Sequence, residues 1–172
     1  AKARAVAKEP EIHILVAGDG ALVYPNRIVW LPWVMGAVAG YLCTTAPSLK
    51  GFLWMLPAMY LGYDFYSGVP CSFLKNLINY AINNSEYIGA ANEGDAVAIS
   101  SGAYLGNRTS VVLMQNSGLT NAVSPLSSLN YPTKIPILGF VSLRGEQGIN
   151  DEPQHELMGK ISTNLLDLLD IK

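Results

Sequence analysis

Histidine and cysteine are scarce in this 172-residue chain, which has two of each. Cys43 and Cys71 show no ligand-like spacing, and His13 and His155 lie far apart in no HxxxH or HxH pattern. The sequence therefore carries no metal-binding signature. Both thiols read as reduced and structural, as expected in a cytoplasmic protein. Charge is scarce too: 14% of residues are charged against 50% hydrophobic, and the net charge is −2. Lys and Arg form no stripe and no aromatic-rich basic patch, which removes the usual means of holding nucleic acid. Residues 1–17 lack the apolar core and small-residue cleavage site of a signal peptide. The length fits one domain able to bury a real core.

The missing charges are concentrated in one place. Between Arg27 and Asp64 the only charged residue is Lys50. VWLPWVMGAVAGYLCTTAPSL (29–49) is uncharged and about as long as a membrane-spanning helix. Pro32 and Pro47 interrupt it, and another apolar stretch follows. Two readings stay open: helices buried in the protein or an interface, and membrane contact through residues 28–62. His13 sits in an apolar run and reads as structural.

What is there becomes regular after residue 62. Residues 1–9 read as the end of a helix and EIHILVAGDG (11–20) as a strand entering a glycine turn. YDFYSGV (63–69), SEYIGA (85–90), TSVVLMQ (109–115) and IPILGFVSL (135–143) read as buried strands. Between and after them lie helices over 72–83, 92–106, 117–130 and 155–171, the third interrupted by Pro125 and capped by Ser117. Alternation of apolar strands with helices predicts an α/β fold, a parallel sheet flanked by helices. Ligands of such sheets bind beyond the carboxyl ends of the strands. Chemistry is expected in GVPCS (68–72), AANEG (90–94), MQNSG (114–118) and SLRGEQGINDEPQH (142–155). Glu93 stands at a strand-to-helix junction with small apolar residues behind it. By itself it fits an ordinary first-turn helix acid favoured by the dipole as well as an acid held for chemistry.

GVPCSFL (68–74), AANEGDAVAISSGAYLG (90–106), VVLMQNSGLTNAVSPLSSL (111–129) and PILGFVSLRGEQGINDEPQHELMG (136–159) occur in this order. Together they resemble the pyrimidine-binding domain of thiamine diphosphate-dependent decarboxylases. Within that superfamily they are most similar to the phosphonopyruvate decarboxylases, with the sulfopyruvate decarboxylases as kin. The resemblance covers residues 61–172 and leaves 1–60 as an atypical apolar amino-terminal segment. It implies thiamine diphosphate and Mg2+ as cofactors and a 2-oxo acid substrate, with phosphonopyruvate ahead of sulfopyruvate. The family's diphosphate-binding domain carries a GDG motif and a later Asn pair for the magnesium. Here AGDG (17–20) reads as a glycine turn, and Asn83 and Asn84 fall inside the pyrimidine-domain match. A partner domain or subunit is therefore expected to hold the diphosphate and metal. The chain would be half of an active site, in a homo- or hetero-oligomer.

The same resemblance assigns roles. Glu93 is the catalytic acid at the cofactor's pyrimidine nitrogen; removal from water favours the protonated form of a carboxyl, which suits proton sharing near neutral pH. His155 assists proton transfer at the reacting carbon. Gln115 and Asn116 line the pyrimidine. Ser72 and Ser117, at predicted helix starts, and Arg144 are candidates for the substrate's second anionic group. Helix capping is the plainer role for the two serines and a surface position for Arg144. Two readings from other classes stand beside this one: a non-catalytic interaction domain of the same fold, and a membrane-associated protein.

Overall fold

The computed structural model describes residues 13–17, 22–23 and 62–171. The expected helix end at 1–9, the glycine turn at 18–20, the apolar segment 28–62 and Cys43 lie outside these, except for Gly62. Among the described residues no helix is long and apolar enough to cross a membrane.

Among the described residues six strands form one sheet: β1 (His13–Ala17), β2 (Leu22–Val23), β3 (Phe65–Gly68), β4 (Glu86–Gly89), β5 (Ser110–Gln115) and β6 (Leu138–Ser142), in spatial order β2-β1-β6-β5-β3-β4. Every neighbouring pair is parallel except β1–β2, which is antiparallel. β1, from the segment 1–60 that the resemblance leaves out, thus runs beside β6 in the same sheet. The helices are α1 (Lys75–Asn84), α2 (Glu93–Leu105), α3 (Leu119–Pro125) and α4 (Glu156–Leu168). This is the α/β architecture that the alternating pattern predicts.

Side-chain alternation in the central strand sets the layers. Val112 and Met114 of β5 pack on one face with Val97 of α2, Leu119 and Ala122 of α3 and Leu166 of α4. Val111 and Leu113 face the other way, against Leu74, Leu77, Ile78 and Ala81 at α1. Because both faces are covered, β5 reads as an unbroken apolar run. Burying each of its large side chains contributes about 1.5–3 kcal/mol.

Left-handed residues other than glycine close both α2 and α4, as Lys134 (φ 58°) closes the single helical turn Tyr131–Thr133. Asn107 (φ 64°) and Asp170 (φ 53°) follow α2 and α4. The Arg108 amide donates to the Ala103 carbonyl and the Ile171 amide to the Leu166 carbonyl, the wide bond of a Schellman motif in each case. Ile171 and Leu166 also share the core cluster, which supplies the motif's hydrophobic contact.

The third predicted helix is less regular than expected. A 3-10 turn (Asn116–Gly118) precedes α3, and a π turn (Leu126–Asn130) follows it. Ser117 does not cap α3: its hydroxyl instead receives the Gln115 Nε2 bond at 2.5 Å. Pro125 lacks the N–H that the Asn121 carbonyl would otherwise accept, and the widened turn begins at the next residue.

Candidate active site

The carboxyl ends of β3, β4, β5 and β6 lead into the four loops marked out by the sequence. The Glu93 corner is built from helix starts and missing side chains. Asn92 is extended (φ −150°, ψ 172°), and its Oδ1 accepts from the Asp95 amide at 3.0 Å. Its Nδ2 donates to Asp95 Oδ2 at 2.8 Å, a reciprocal pair that fixes the first turn of α2. Glu93 is then the first helical residue and, at 9% exposure, is nearly removed from water.

What lies against it is mostly backbone. A Cβ built on Gly118 would fall 1.9 Å from the Glu93 Cδ and 2.0 Å from Oε1, so only glycine leaves room for the carboxyl. A Cβ on Gly94 would fall 2.8 Å from the Asn121 carbonyl oxygen. Those two glycines let α2 and the turn entering α3 close around the acid. Asn121 Nδ2 donates to Glu93 Oε2 at 2.9 Å. Among the described residues this is the only hydrogen bond to the carboxyl, and Oε1 keeps its bonding capacity. A buried acid with one oxygen held and one available can meet a ring nitrogen and exchange a proton with it.

The loop after β6 is organised by charge. Arg144 grips Asp151 with both arms, Nε to Oδ2 at 2.8 Å and Nη2 to Oδ1 at 2.5 Å. The Gly145 and Glu152 amides add two bonds to the same carboxylate, each at 2.8 Å. The Arg144 hydrogen bonds, helped by these amides, hold the Asp151 carboxyl well below the usual carboxylate range, and Asp151 holds the guanidinium above its own. The Arg144 guanidinium also lies over the Phe73 ring, 4.5 Å from its centroid. Arg144 is thus not a plain surface residue: one edge of its guanidinium is taken by Asp151 and one face lies over Phe73.

At the far end of this loop His155 is 9% exposed, and among the described residues its Nδ1 has no hydrogen-bond partner. A Cβ on Gly145 (φ +70°) would lie 2.1 Å from the His155 carbonyl oxygen, and one on Gly159 would lie 1.7 Å from the Gly145 carbonyl oxygen. Backbone packs directly on backbone here and fixes where His155 enters α4.

Asn116 departs from its expected place. It is fully buried, its Nδ2 donates to the Arg144 carbonyl (2.9 Å) and Ser162 Oγ (3.1 Å), and its Oδ1 accepts from the Arg144 amide (3.0 Å). With no exposed surface it cannot line a pyrimidine; it ties the end of β5 to the end of β6 and to α4. Gln115 remains at the strand end, half-buried, between Ser117 and the buried thiol of Cys71, whose Sγ donates to Gln115 Oε1 at 3.7 Å. Cys71 Sγ also lies 3.1 Å from Ser142 Oγ. Ser72 is exposed and sits before α1, whose capping position is Leu74 with no side-chain bond, so Ser72 is no helix cap. Among the described residues no three His, Cys, Asp or Glu side chains are grouped as a metal site. Sequence reasoning missed Asn121, Gly118 and Asp151. The i, i+3 spacing of Gly118 and Asn121, which puts both on one helical face, was the available signal for the first two.

Fold and site define an α/β domain that presents a shielded acid and a histidine from loops at the carboxyl end of a parallel sheet. No family model matches the chain. Phosphonopyruvate decarboxylase of Streptomyces viridochromogenes is 45% identical over 114 residues, 65% of this chain and 29% of that protein. The sulfopyruvate decarboxylase alpha subunit of Methanococcus maripaludis is 36% identical over 113 residues, 64% of this chain and 66% of the subunit. That of Methanothermobacter thermautotrophicus is 34% identical over 112 residues, 64% of this chain and 67% of the subunit. The chain belongs to the phosphonopyruvate and sulfopyruvate decarboxylase family. It spans less than a third of the length of the phosphonopyruvate decarboxylases it matches.

Proposed function

We propose that residues 61–172 form the pyrimidine-binding half of a cytoplasmic thiamine diphosphate-dependent decarboxylase, with phosphonopyruvate as the substrate, converted to phosphonoacetaldehyde and CO2. The observation that carries this reading is the Glu93 corner: a shielded carboxyl, one oxygen held by Asn121, seated on a glycine that leaves it room. The corner suits the cofactor's aminopyrimidine, because Oε1 of the acid has no hydrogen bond among the described residues and Gly118 beside it carries no side chain. When bound, thiamine diphosphate acts as the electron sink that permits loss of CO2 from a 2-oxo acid.

This chain's residues then have limited tasks. Glu93 holds or shares a proton at the pyrimidine nitrogen. His155, with an unpaired Nδ1, moves a proton near the reacting carbon. Gln115 borders the pyrimidine, and Ser72 and Ser117 present hydroxyls near helix starts to the substrate's anionic group. Arg144 acts by shaping the loop from its pair with Asp151. A second domain or subunit holds the diphosphate and Mg2+, so the working form is an oligomer.

A sulfopyruvate decarboxylase of alpha-subunit type is the second reading. It is favoured by the chain's coverage of about two thirds of those alpha subunits. CO2 release from phosphonopyruvate and sulfopyruvate, measured with the chain alone and with a diphosphate-domain partner, decides between them. In the assembled enzyme Glu93→Gln is expected to lower the rate by about 10²–10⁴-fold. Turnover unaffected by that change would sink both readings.

A further inference from the structure

We propose that Asn121 is a positioning residue that decides which oxygen of Glu93 is free to act; the proposal rests on the reading of Glu93 as the acid at the pyrimidine. The two oxygens of a carboxyl are chemically alike, and the terminal torsion of a glutamate is broad and roughly two-fold. Nothing in Glu93 itself therefore selects one oxygen over the other. The surroundings do. Asn121 Nδ2 lies 2.9 Å from Oε2 and offers that oxygen only N–H donors. An ionised carboxylate accepts this bond at Oε2. In a neutral carboxyl the proton is favoured on Oε1, because the carbonyl oxygen is a better acceptor for the Asn121 N–H than the hydroxyl oxygen is.

Oε1 is the oxygen beside the bare face of Gly118, where no side chain can compete for it. Gly118 and Asn121 are three residues apart and so belong to one face of the turn leading into α3. One supplies the floor, the other the clamp.

The clamp is itself anchored. Pro125 removes the helical donor from the Asn121 carbonyl, and that carbonyl abuts Gly94 in the first turn of α2. The backbone carrying the amide is wedged beside the backbone carrying the acid, so the amide meets Oε2 without a long flexible reach. Helix preference does not account for asparagine here, since it is a weak helix former whose side chain favours caps and turns. Asn121 is exposed in the chain, so replacing it disturbs no core packing.

The test reads the carboxyl directly, without cofactor. The full chain is labelled with carboxyl-13C glutamate, and the infrared difference between wild type and Glu93→Gln isolates the Glu93 band. In Asn121→Leu, which removes the donor, the band is expected to shift; in Asn121→Asp, which keeps the size but offers only oxygens, it shifts as well. The same variants, assembled with a diphosphate-domain partner, thiamine diphosphate and Mg2+, are expected to lose about 10- to 100-fold in kcat with little change in KM, the range for a hydrogen bond to a charged group. A band that stays in place in both variants overturns the proposal, whatever the enzyme turns over. A shifted band with full kcat in the variants, while Glu93→Gln is inactive, overturns the positioning role and leaves Glu93 as the acid. A shifted band in a protein with which no form decarboxylates either substrate supports the oxygen selection and removes the decarboxylase reading.

Discussion

The Glu93 corner and the Arg144 loop both hold a charged side chain away from water, and they do it by opposite means. Around Glu93 the protein removes side chains, with glycine at 94 and 118, and adds a single donor from Asn121. Around Arg144 it adds partners: a two-armed carboxylate, two backbone amides on that carboxylate, and an aromatic face. The first arrangement leaves an oxygen with capacity unused. The second ties one edge and one face of the cation into the protein. Buried polar groups are normally satisfied, so a shielded acid with capacity left over points to a ligand, while a cation locked to a carboxylate and a ring points to architecture. His155, with its unpaired Nδ1, falls on the side of the acid.

That contrast can be broken at several points. The largest effect on stability is expected at Asn116, the brace beneath the Arg144 loop. Asn116→Ala leaves the Arg144 amide, its carbonyl and Ser162 short of a partner, at about 1–3 kcal/mol for each buried group stranded; denaturant unfolding measures it. Next comes Gly118→Ala. Its methyl would overlap the Glu93 carboxyl, with an expected cost of about 1–3 kcal/mol from overpacking. If shape alone explains the corner, adding Glu93→Ala restores most of that stability, and a double-mutant cycle reads the coupling.

Asp151→Asn addresses the loop through pH. The folded carboxyl titrates below its unfolded range, so the stability it contributes is present above the ordinary carboxylate range. That stability fades as the pH falls from there through the depressed folded value. The melting temperature of the wild type should therefore drop more steeply in acid than that of Asp151→Asn. Equal slopes would show that the pair is not what organises the loop. The smallest effect is expected at Phe73→Leu, which removes the face under Arg144 and costs about 0.5–1 kcal/mol.

The parts of the fold that depend on pattern were legible in the sequence, and the parts that depend on a meeting of loops were not. β5 shows itself as SVVLMQ because both faces are buried, and the helix expected over 92–106 is α2. β2, only two residues long, carries no period to detect. Ser117 looks like a helix cap, but Gln115 reaches its hydroxyl first and a 3-10 turn delays α3. Asn116 looks like a loop residue facing a ligand, yet its partners are 28 and 46 positions away. No local rule couples residues at such separations. Asp151 finds Arg144 across a glycine-rich bend, where neither helical nor strand spacing applies. Glu93 could be placed because it stands where a strand ends and a helix begins; the choice between its two oxygens is a fact of three dimensions.

Gly145 and Gly159 close the base of the 145–155 segment by direct main-chain contact, as a drawstring closes a bag. At Gly148, near its tip, an added Cβ would meet nothing within 4 Å. Length and composition at that tip can therefore vary while the neck stays shut. Residues inserted there would leave the main-chain contact at His155 in place, which makes the tip the part of this loop that can change most at least cost to the fold.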